Sequence, residues 1–394
     1  MEFRIERSAL TDAVAWAARV LPTRSPVPVL GGLLLEADGG SLRISGLDYE
    51  ASACVEVEAE TARAGKVLVM GRRLLDICRV LSDGPVECAV EAARFTVTGG
   101  GARFGLSVLP LDDYPSLPPL PPVRGEVDAE AFAAAVSHVA VAAGRDDTLP
   151  TLTGIRLGLD GDTMTLAATD RYRFAVRTLP WKPLEADVSA DVVVSARRLT
   201  EIARSLGRAG TVRVALDGGS AGFENAGART TVRLLDGRLP RHDKLFAMAD
   251  PVVAVTDRES LTEAVKRVAV VADGDSPLQL AFTGDSVLLQ AGYEDDVASQ
   301  RLPAVLEGAA DMTVAFNPSY LMDALASFEE PVVRFQLAGP GQRAMLTGLP
   351  ASATGAGTGA GSGTKSGDAS DGGDAGDAGV GTHRHLLMSI KPLV

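Results

Sequence analysis

The chain repeats itself three times, at a period long enough that each copy must be a whole domain rather than a solenoid repeat. An amphipathic helix signal opens each copy: Arg7 to Leu21, Ala129 to Ala143 and Asp257 to Ala272, with starts 122 and 128 residues apart. The apolar stripes are Leu10, Ala13, Val14, Ala17, then Phe132, Val136, Val139, then Leu261, Val265, Val268. Steps of three and four bring such residues to one face of a 3.6-residue turn. A hairpin signal follows each time. Leu33–Leu35 and Leu42–Ile44 flank Gly39-Gly40; Ile155–Leu159 and Met164–Leu166 flank Gly161-Asp162; Leu278–Phe282 and Val287–Leu289 flank Gly284-Asp285. Alternation broken by Gly or Asp marks a two-stranded turn. Asp48 and Asp170, 122 residues apart, fall at the same place just beyond it. A second helix is predicted over 71–79, 195–204 and 317–325, the last with Asn317 as cap and Pro318 in the first turn.

Helix, strands, helix, strands in about 120 residues predicts an α+β fold of three similar domains. In each, two helices lie on one face of an antiparallel sheet. The boundaries are read as 1–122, 123–249 and 250–394. The run Pro115 to Pro122 reads as a stiff linker ending the first copy. Its place at a copy boundary outweighs the reading as a ligand for a proline-binding module. Residues 351–382 are almost all Gly, Ala, Ser, Thr and Asp. Such a segment cannot bury enough apolar area to offset chain entropy, so a disordered insertion is expected before the last strand, 386–388. Within it, Gly363-Thr364-Lys365-Ser366 lacks the Gly-Lys-Ser order and the preceding strand of a phosphate loop.

The net charge of −13 argues against nonspecific hold on phosphates. Distribution matters more than the total. Arginines gather in the predicted helices, as Arg72, Arg73 and Arg79 or Arg197, Arg198 and Arg204. The six helical segments together are net positive, so the remainder is more acidic than the whole. Solvated helix faces commonly carry arginines, but a shared positive side that approaches DNA fits the asymmetry better. No stacking aromatics or recognition helix stand out, which predicts contact with the DNA backbone and no base reading.

No catalytic constellation appears, so neither an enzyme, a cofactor nor a metal site is expected. Of the four histidines (His138, His242, His383, His385), His383 and His385 could share a strand face, but no further ligand lies nearby in sequence. Asp112-Asp113, Asp146-Asp147 and Asp295-Asp296 read as turns. There is no nucleophile elbow and no dinucleotide fingerprint. Cys54, Cys78 and Cys88 are too few and too irregular for a disulfide framework; they read as buried thiols of a cytoplasmic protein. The opening residues alternate charge with apolar side chains, unlike a signal peptide. No apolar run approaches the ~18 residues a membrane span needs.

Four stretches then carry a specific resemblance: Leu21 to Leu30, Thr169 to Ala175, Leu235 to Pro240 and Ala315 to Leu321. In this order they resemble the bacterial DNA sliding clamp, the beta subunit of DNA polymerase III, in its actinobacterial form. The resemblance covers the chain except 351–382. It implies the DNA-clamp fold and a head-to-tail homodimeric ring around duplex DNA without sequence specificity. It also implies tethering of the replicative polymerase, clamp loader and other partners through short peptides.

By resemblance, Arg24, Arg197 and Arg204 take channel-lining positions; Arg73 and Arg79 are added from the internal repeat. The resemblance also implies a partner-peptide pocket between the second and third domains. The matching positions are Leu152, Thr169, Arg171, Tyr172, Arg173 and Phe174; then Pro240, Lys244 and Leu245; then Asn317, Tyr320, Met322, Leu346 and Met388. The family's usual Met-Pro-x-Arg-Leu ending reads here Met388-Ser389-Ile390-Lys391-Pro392. Serine stands for proline, and lysine for an arginine that could donate in a planar pair. This departure motivates a second reading: a specialised extra clamp whose altered pocket resists a clamp-directed antibiotic such as a cyclic-peptide inhibitor.

Overall fold

The computed structural model describes all residues except 23, 25–26, 208, 242, 273–275, 294–295, 355–381 and 392–394. The described helices are α1 (Arg7–Ala17), α2 (Gly71–Val80), α3 (Ala129–Ala140), α4 (Ala196–Ser205), α5 (Asp243–Phe246), α6 (Arg258–Val268) and α7 (Pro318–Ala326). Six of them are the predicted pairs; α5 is a single extra turn. The opening helices stop short of the expected ends. After Ala17 and after Val268 the chain tightens into 3-10 turns, Ala18–Val20 and Ala269–Val271, which give the last carbonyls partners.

Caps fix where helices start. Asp257 accepts from the Ser260 N–H at 2.7 Å, Asp128 from the Ala131 N–H at 2.9 Å, and Asn317 from the Ser319 and Tyr320 N–H groups at 2.9 and 3.3 Å. Each satisfies an otherwise orphan donor of the first turn. The Asp48 and Asp170 equivalence is structural too. Asp48 Oδ1 accepts from the N–H groups of Glu50 and Ala51, and Asp170 Oδ1 from those of Tyr172 and Arg173. Both close the same side-chain turn between strands.

The chain forms two compact units. The first comprises 1–133, 181–188 and 201–234. It holds a five-stranded sheet in the order Glu60–Arg63, Glu2–Glu6, Pro85–Glu91, Arg94–Gly99, Ala102–Ser107. Its nine-stranded sheet runs Lys182–Pro183, Val123–Asp128, Thr211–Leu216, Ser220–Asn225, Ala228–Arg233, Ala51–Glu58, Ser41–Leu47, Gly32–Asp38, Gly65–Met70. Leu10 and Val14 of α1, Leu74 of α2, and Leu33, Ile44 and Phe95 of the sheets share its core.

The second unit comprises 134–180, 189–200 and 235–394. Its nine-stranded sheet runs Ser189–Ser195, Gly154–Asp160, Thr163–Thr169, Arg173–Pro180, His383–Met388, Arg343–Leu349, Val332–Leu337, Val252–Asp257, Val305–Glu307. Its four-stranded sheet runs Asp296–Pro303, Ser286–Tyr293, Leu278–Thr283, Asp311–Phe316. Leu261, Val265, Leu280, Phe316, Leu321 and Phe335 build the core there.

The compact units therefore do not follow the three copies read from the sequence. Hydrogen-bond ladders cross both copy boundaries: Ala228 pairs with Val55 and Val232 with Ala51, while Arg173 pairs with Leu387 and Arg177 with His383. The middle copy gives strands to both nine-stranded sheets. The Pro-rich segment 115–122 has no regular structure, as its composition predicts, but it is seated. A side chain at Gly222 would collide with Leu120, and Leu216 N–H donates to Pro122 O at 3.0 Å. Ala351–Thr354, placed in the disordered insertion by composition, form a 3-10 turn instead. Residues 355–381 of that insertion lie outside the described residues.

Candidate peptide pocket and basic helices

The Thr169-Asp170-Arg171-Tyr172-Arg173 turn builds one wall of a cavity in the second unit. Thr169 Oγ accepts from Arg171 N–H at 3.2 Å and donates to Arg173 O at 2.7 Å. With Asp170 closing the turn, Arg171 is held at φ +82°, a conformation non-glycine residues seldom adopt. The turn leaves Tyr172 57% exposed while burying Arg173 to 5%. The Arg173 guanidinium donates to Asp170 Oδ2 at 2.9 Å and to Asp323 Oδ2 at 2.6 Å, and sits 4.4 Å above the Tyr320 ring. So Arg173, while it lines the cavity, also locks Tyr320 of α7 in place. Tyr172 and Tyr320 stack at 6.2 Å. Opposite them, Leu149, Leu152, Gly144 and Arg145 complete a cavity of about 380 Å³, within the range of small ligand sites.

A small apolar cluster begins at the next residue of the turn, Phe174. Phe174 and Phe246 meet edge to face at 5.9 Å. They cluster with Ala167, Val176 and Leu386, and Leu245, Met248 and Met345 pack alongside. Met388 N–H donates to Tyr172 O at 2.9 Å, and its side chain is 40% exposed. Pro240 and Lys244 are exposed on the approach to α5. From Met388 to Ile390 burial alternates, and Ile390 is 40% exposed. Ser389 is buried, Ile390 N–H donates to Ala315 O at 2.7 Å, and Lys391 is exposed.

The structure sorts the expected pocket residues. Leu152, Arg171, Tyr172, Arg173 and Tyr320 line the cavity; Phe174 and Leu245 belong to the apolar cluster. Thr169 and Asn317 shape it from behind as turn and cap. Met322 packs half-buried against the unit's core, and Leu346 is wholly inside that core. Leu346 was a one-residue misplacement: neighbours on a strand face opposite ways, and Met345 is the one on the pocket side. Asp170, Asp323, Gly144, Arg145, Leu149 and Phe246 were not anticipated.

Behind the pocket, the same final strand carries His383 and His385, which share a face as expected. They hold no metal-like arrangement. His383 Nδ1 lies 3.2 Å from Val176 O and Nε2 2.8 Å from Ser327 Oγ, whose hydroxyl donates to Ala324 O at 2.7 Å. Burial pushes the His383 imidazole well below its ordinary range and His385 down to about 3, keeping both neutral. Among the described residues, no group of three or more His, Cys, Asp or Glu side chains is placed to hold a metal ion.

The five arginines expected at DNA are all exposed. Arg197 and Arg204 are seven residues, about two turns, apart on α4 and share a face. On α2 the corresponding pair is Arg72 and Arg79, with Arg73 turned away by roughly a third of a circle. Arg79 faces Asp76 at 4.0 Å, and Arg72 Nη2 donates to Leu21 O at 3.3 Å at the base of the loop carrying Arg24. Arg72, which is not among the five, is the residue that the internal repeat aligns with Arg197.

Comparison with known proteins settles the family. The three domain models of the DNA polymerase III beta subunit match in order: N-terminal at 1–118, central at 126–241 and C-terminal at 245–354. The chain belongs to the beta sliding clamp family. It is 49% identical to the beta sliding clamp of Streptomyces coelicolor, over 89% of this chain and 95% of that one. It is 43% identical to a beta sliding clamp homolog, GriR, of Streptomyces muensis, over 88% and 94%. The fold matches the DNA polymerase III beta subunit of Pseudomonas aeruginosa with TM-score 0.86 at 25% identity, each chain covered completely. A Pseudomonas aeruginosa clamp solved with griselimycin bound matches with TM-score 0.87 at 24% identity, again over both whole chains. As a family member this chain is a DNA sliding clamp, a processivity factor of replication, with the actinobacterial likeness read from its sequence.

Proposed function

We propose that this clamp closes head to tail with a second copy around duplex DNA and recruits polymerase, clamp loader and other partners through the pocket of its second unit. The observation that carries the recruiting role is the cavity walled by Tyr172 and Tyr320, with the exposed Met388 hydrogen-bonded to Tyr172 and the Phe174–Phe246 cluster alongside. An extended peptide could place one apolar side chain in the cavity and another on the cluster while its backbone crosses Met388. Two open sheet edges support closure: Ala102–Ser107 in one unit and Asp296–Pro303 in the other, with Val80 70% and Val270 81% exposed on the same units. An unpaired edge invites another strand. Such a contact is heterologous, and two copies close it.

The exposed arginines of α2 and α4, with Arg24, are assigned to phosphates, and no step of chemistry is assigned to the chain. The site of action is the cytoplasm, where Cys54, Cys78 and Cys88, all buried, stay reduced. Linkage around DNA, rather than tight binding, lets an acidic protein serve this role.

The test is binding of a fluorescein-labelled peptide with an apolar tail, read by anisotropy. Micromolar or tighter affinity, lost in a Tyr320→Ala/Met388→Ala variant, is expected; no binding to the folded wild type overturns the recruiting role. The specialised-copy reading draws on Ser389 and Lys391 at the pocket's end and on the likeness to GriR. The lower identity to GriR than to the Streptomyces coelicolor clamp puts the replicative reading first. A thermal shift with griselimycin separates them: stabilisation speaks for an ordinary pocket, and no shift for a resistant one.

A further inference from the structure

The apolar cluster that the proposed function assigns to the pocket leans on a segment with little structure of its own. Between the strands Ala228–Arg233 and Val252–Asp257, the regular element among the described residues is α5, four residues long. One helical turn cannot sustain itself, because nucleation is unfavourable and its last carbonyls have no partner within the helix. Yet α5 presents both Leu245 and Phe246 to the apolar cluster.

Two of its carbonyls find a donor from far along the chain. Arg343 Nη1 donates to Leu245 O at 2.8 Å and to Lys244 O at 3.3 Å. Arg343 begins the strand Arg343–Leu349, where its cross-strand neighbour is Met388. One guanidinium thus ties the α5 wall to the strand pair bearing the Met388 lip. A cation at the end of a helical turn is also favoured by the turn's dipole. Next to it, the Arg384 guanidinium lies 5.1 Å from the Phe246 ring, whose edge-on contact with Phe174 closes the cluster.

We infer that Arg343 is a positioning residue of the pocket: by holding α5 it sets how tightly the clamp grips the aromatic or aliphatic end of a partner's peptide. The inference rests on the peptide-pocket reading above. Arg343 touches no ligand in this account, and its effect passes through Leu245 and Phe246. Lysine could reach one carbonyl as a point donor but lacks the planar geometry of the guanidinium, so it should restore only part of the grip.

The experiment uses the full chain as wild type, Arg343→Ala and Arg343→Lys. Two labelled peptides serve as probes, one ending in Leu-Phe and one in Leu-Ala. The expected result is about tenfold weaker binding of the Leu-Phe peptide by R343A, the scale of a lost charge-assisted hydrogen bond. R343K should recover part of it. The Leu-Ala peptide should bind the wild type and R343A almost equally, so that the two changes couple in a double-mutant cycle. Amide exchange over 243–248 should quicken in R343A, with the melting temperature nearly unchanged. Equal binding of the Leu-Phe peptide by R343A and wild type overturns the inference, and so does an equal loss for both peptides. Failure of the folded wild type to bind the Leu-Phe peptide brings down the pocket reading, and this inference with it.

Discussion

Ser389 shows what a single replacement does at the pocket's edge. Its N–H donates to Gln342 O at 2.9 Å, and its hydroxyl reaches the same carbonyl at 2.7 Å and Gly339 O at 3.3 Å. Proline at this position could make none of these. Ser389→Ala should lower stability by about 1 kcal/mol, the net worth of a buried neutral hydrogen bond. Ser389→Pro should cost more and loosen the turn at 339–342. Urea denaturation of the two variants checks the ranking; equal stability of all three proteins would refute it.

His385 gives the second prediction at this scale. Its folded pKa, about 3, lies below the unfolded value of 6.5. Below pH 6.5 the unfolded chain takes up a proton that the native state refuses. Stability is therefore full above pH 6.5 and falls toward pH 3, by about 1.4 kcal/mol per pH unit for each such histidine. A His385→Gln variant should show a shallower loss between pH 6.5 and 5, measured as urea midpoints. An unchanged slope would mean the imidazole titrates normally. Residues such as these mark the limit of legibility. The exposure of Tyr172 and the cap at Asn317 follow from adjacent residues. Arg173 depends on Asp323, 150 positions away, and no local pattern announces that partner. Leu346 went wrong because strand parity decides which face a side chain takes, and parity was not fixed by the motif alone.

At the scale of elements, the six long helices were legible because apolar period and caps agree. The short α5 was not, since four residues carry no period, and its stability comes from Arg343. The first turn of α7 joins fold to site: Asn317 caps it and Tyr320 sits in it. Asn317→Ala should cost about 1 kcal/mol and weaken peptide binding together with it. Finding one effect without the other in melting and anisotropy would separate the cap from the pocket. On α4, Arg197→Glu and Arg204→Glu should weaken binding to linear duplex DNA for every sequence alike. They should also flatten its salt dependence by about one unit of slope for each lost phosphate contact. A sequence-selective change would point to base contacts instead.

For the whole molecule, closure rests on edges that the sequence hinted at only through resemblance. Val270, on the unit with the open strand Asp296–Pro303, is 81% exposed. Val270→Asp should shift the protein from dimer to monomer in light scattering, leaving its circular dichroism unchanged; an intact dimer would move the interface elsewhere. The three copies were plain from their period, but the sharing of sheets between them was not, because pairing partners lie in different copies and leave no periodic trace. That sharing has a consequence for anyone who would take the molecule apart. A chain cut after residue 122 or 249 divides it where the sequence rhymes, yet it severs ladders that join Ala228 to Val55 and Arg173 to Leu387. The stretch that can be copied along a chain is thus not the stretch that can live alone, and a lone repeat excised from this protein would be an orphan with raw, sticky margins.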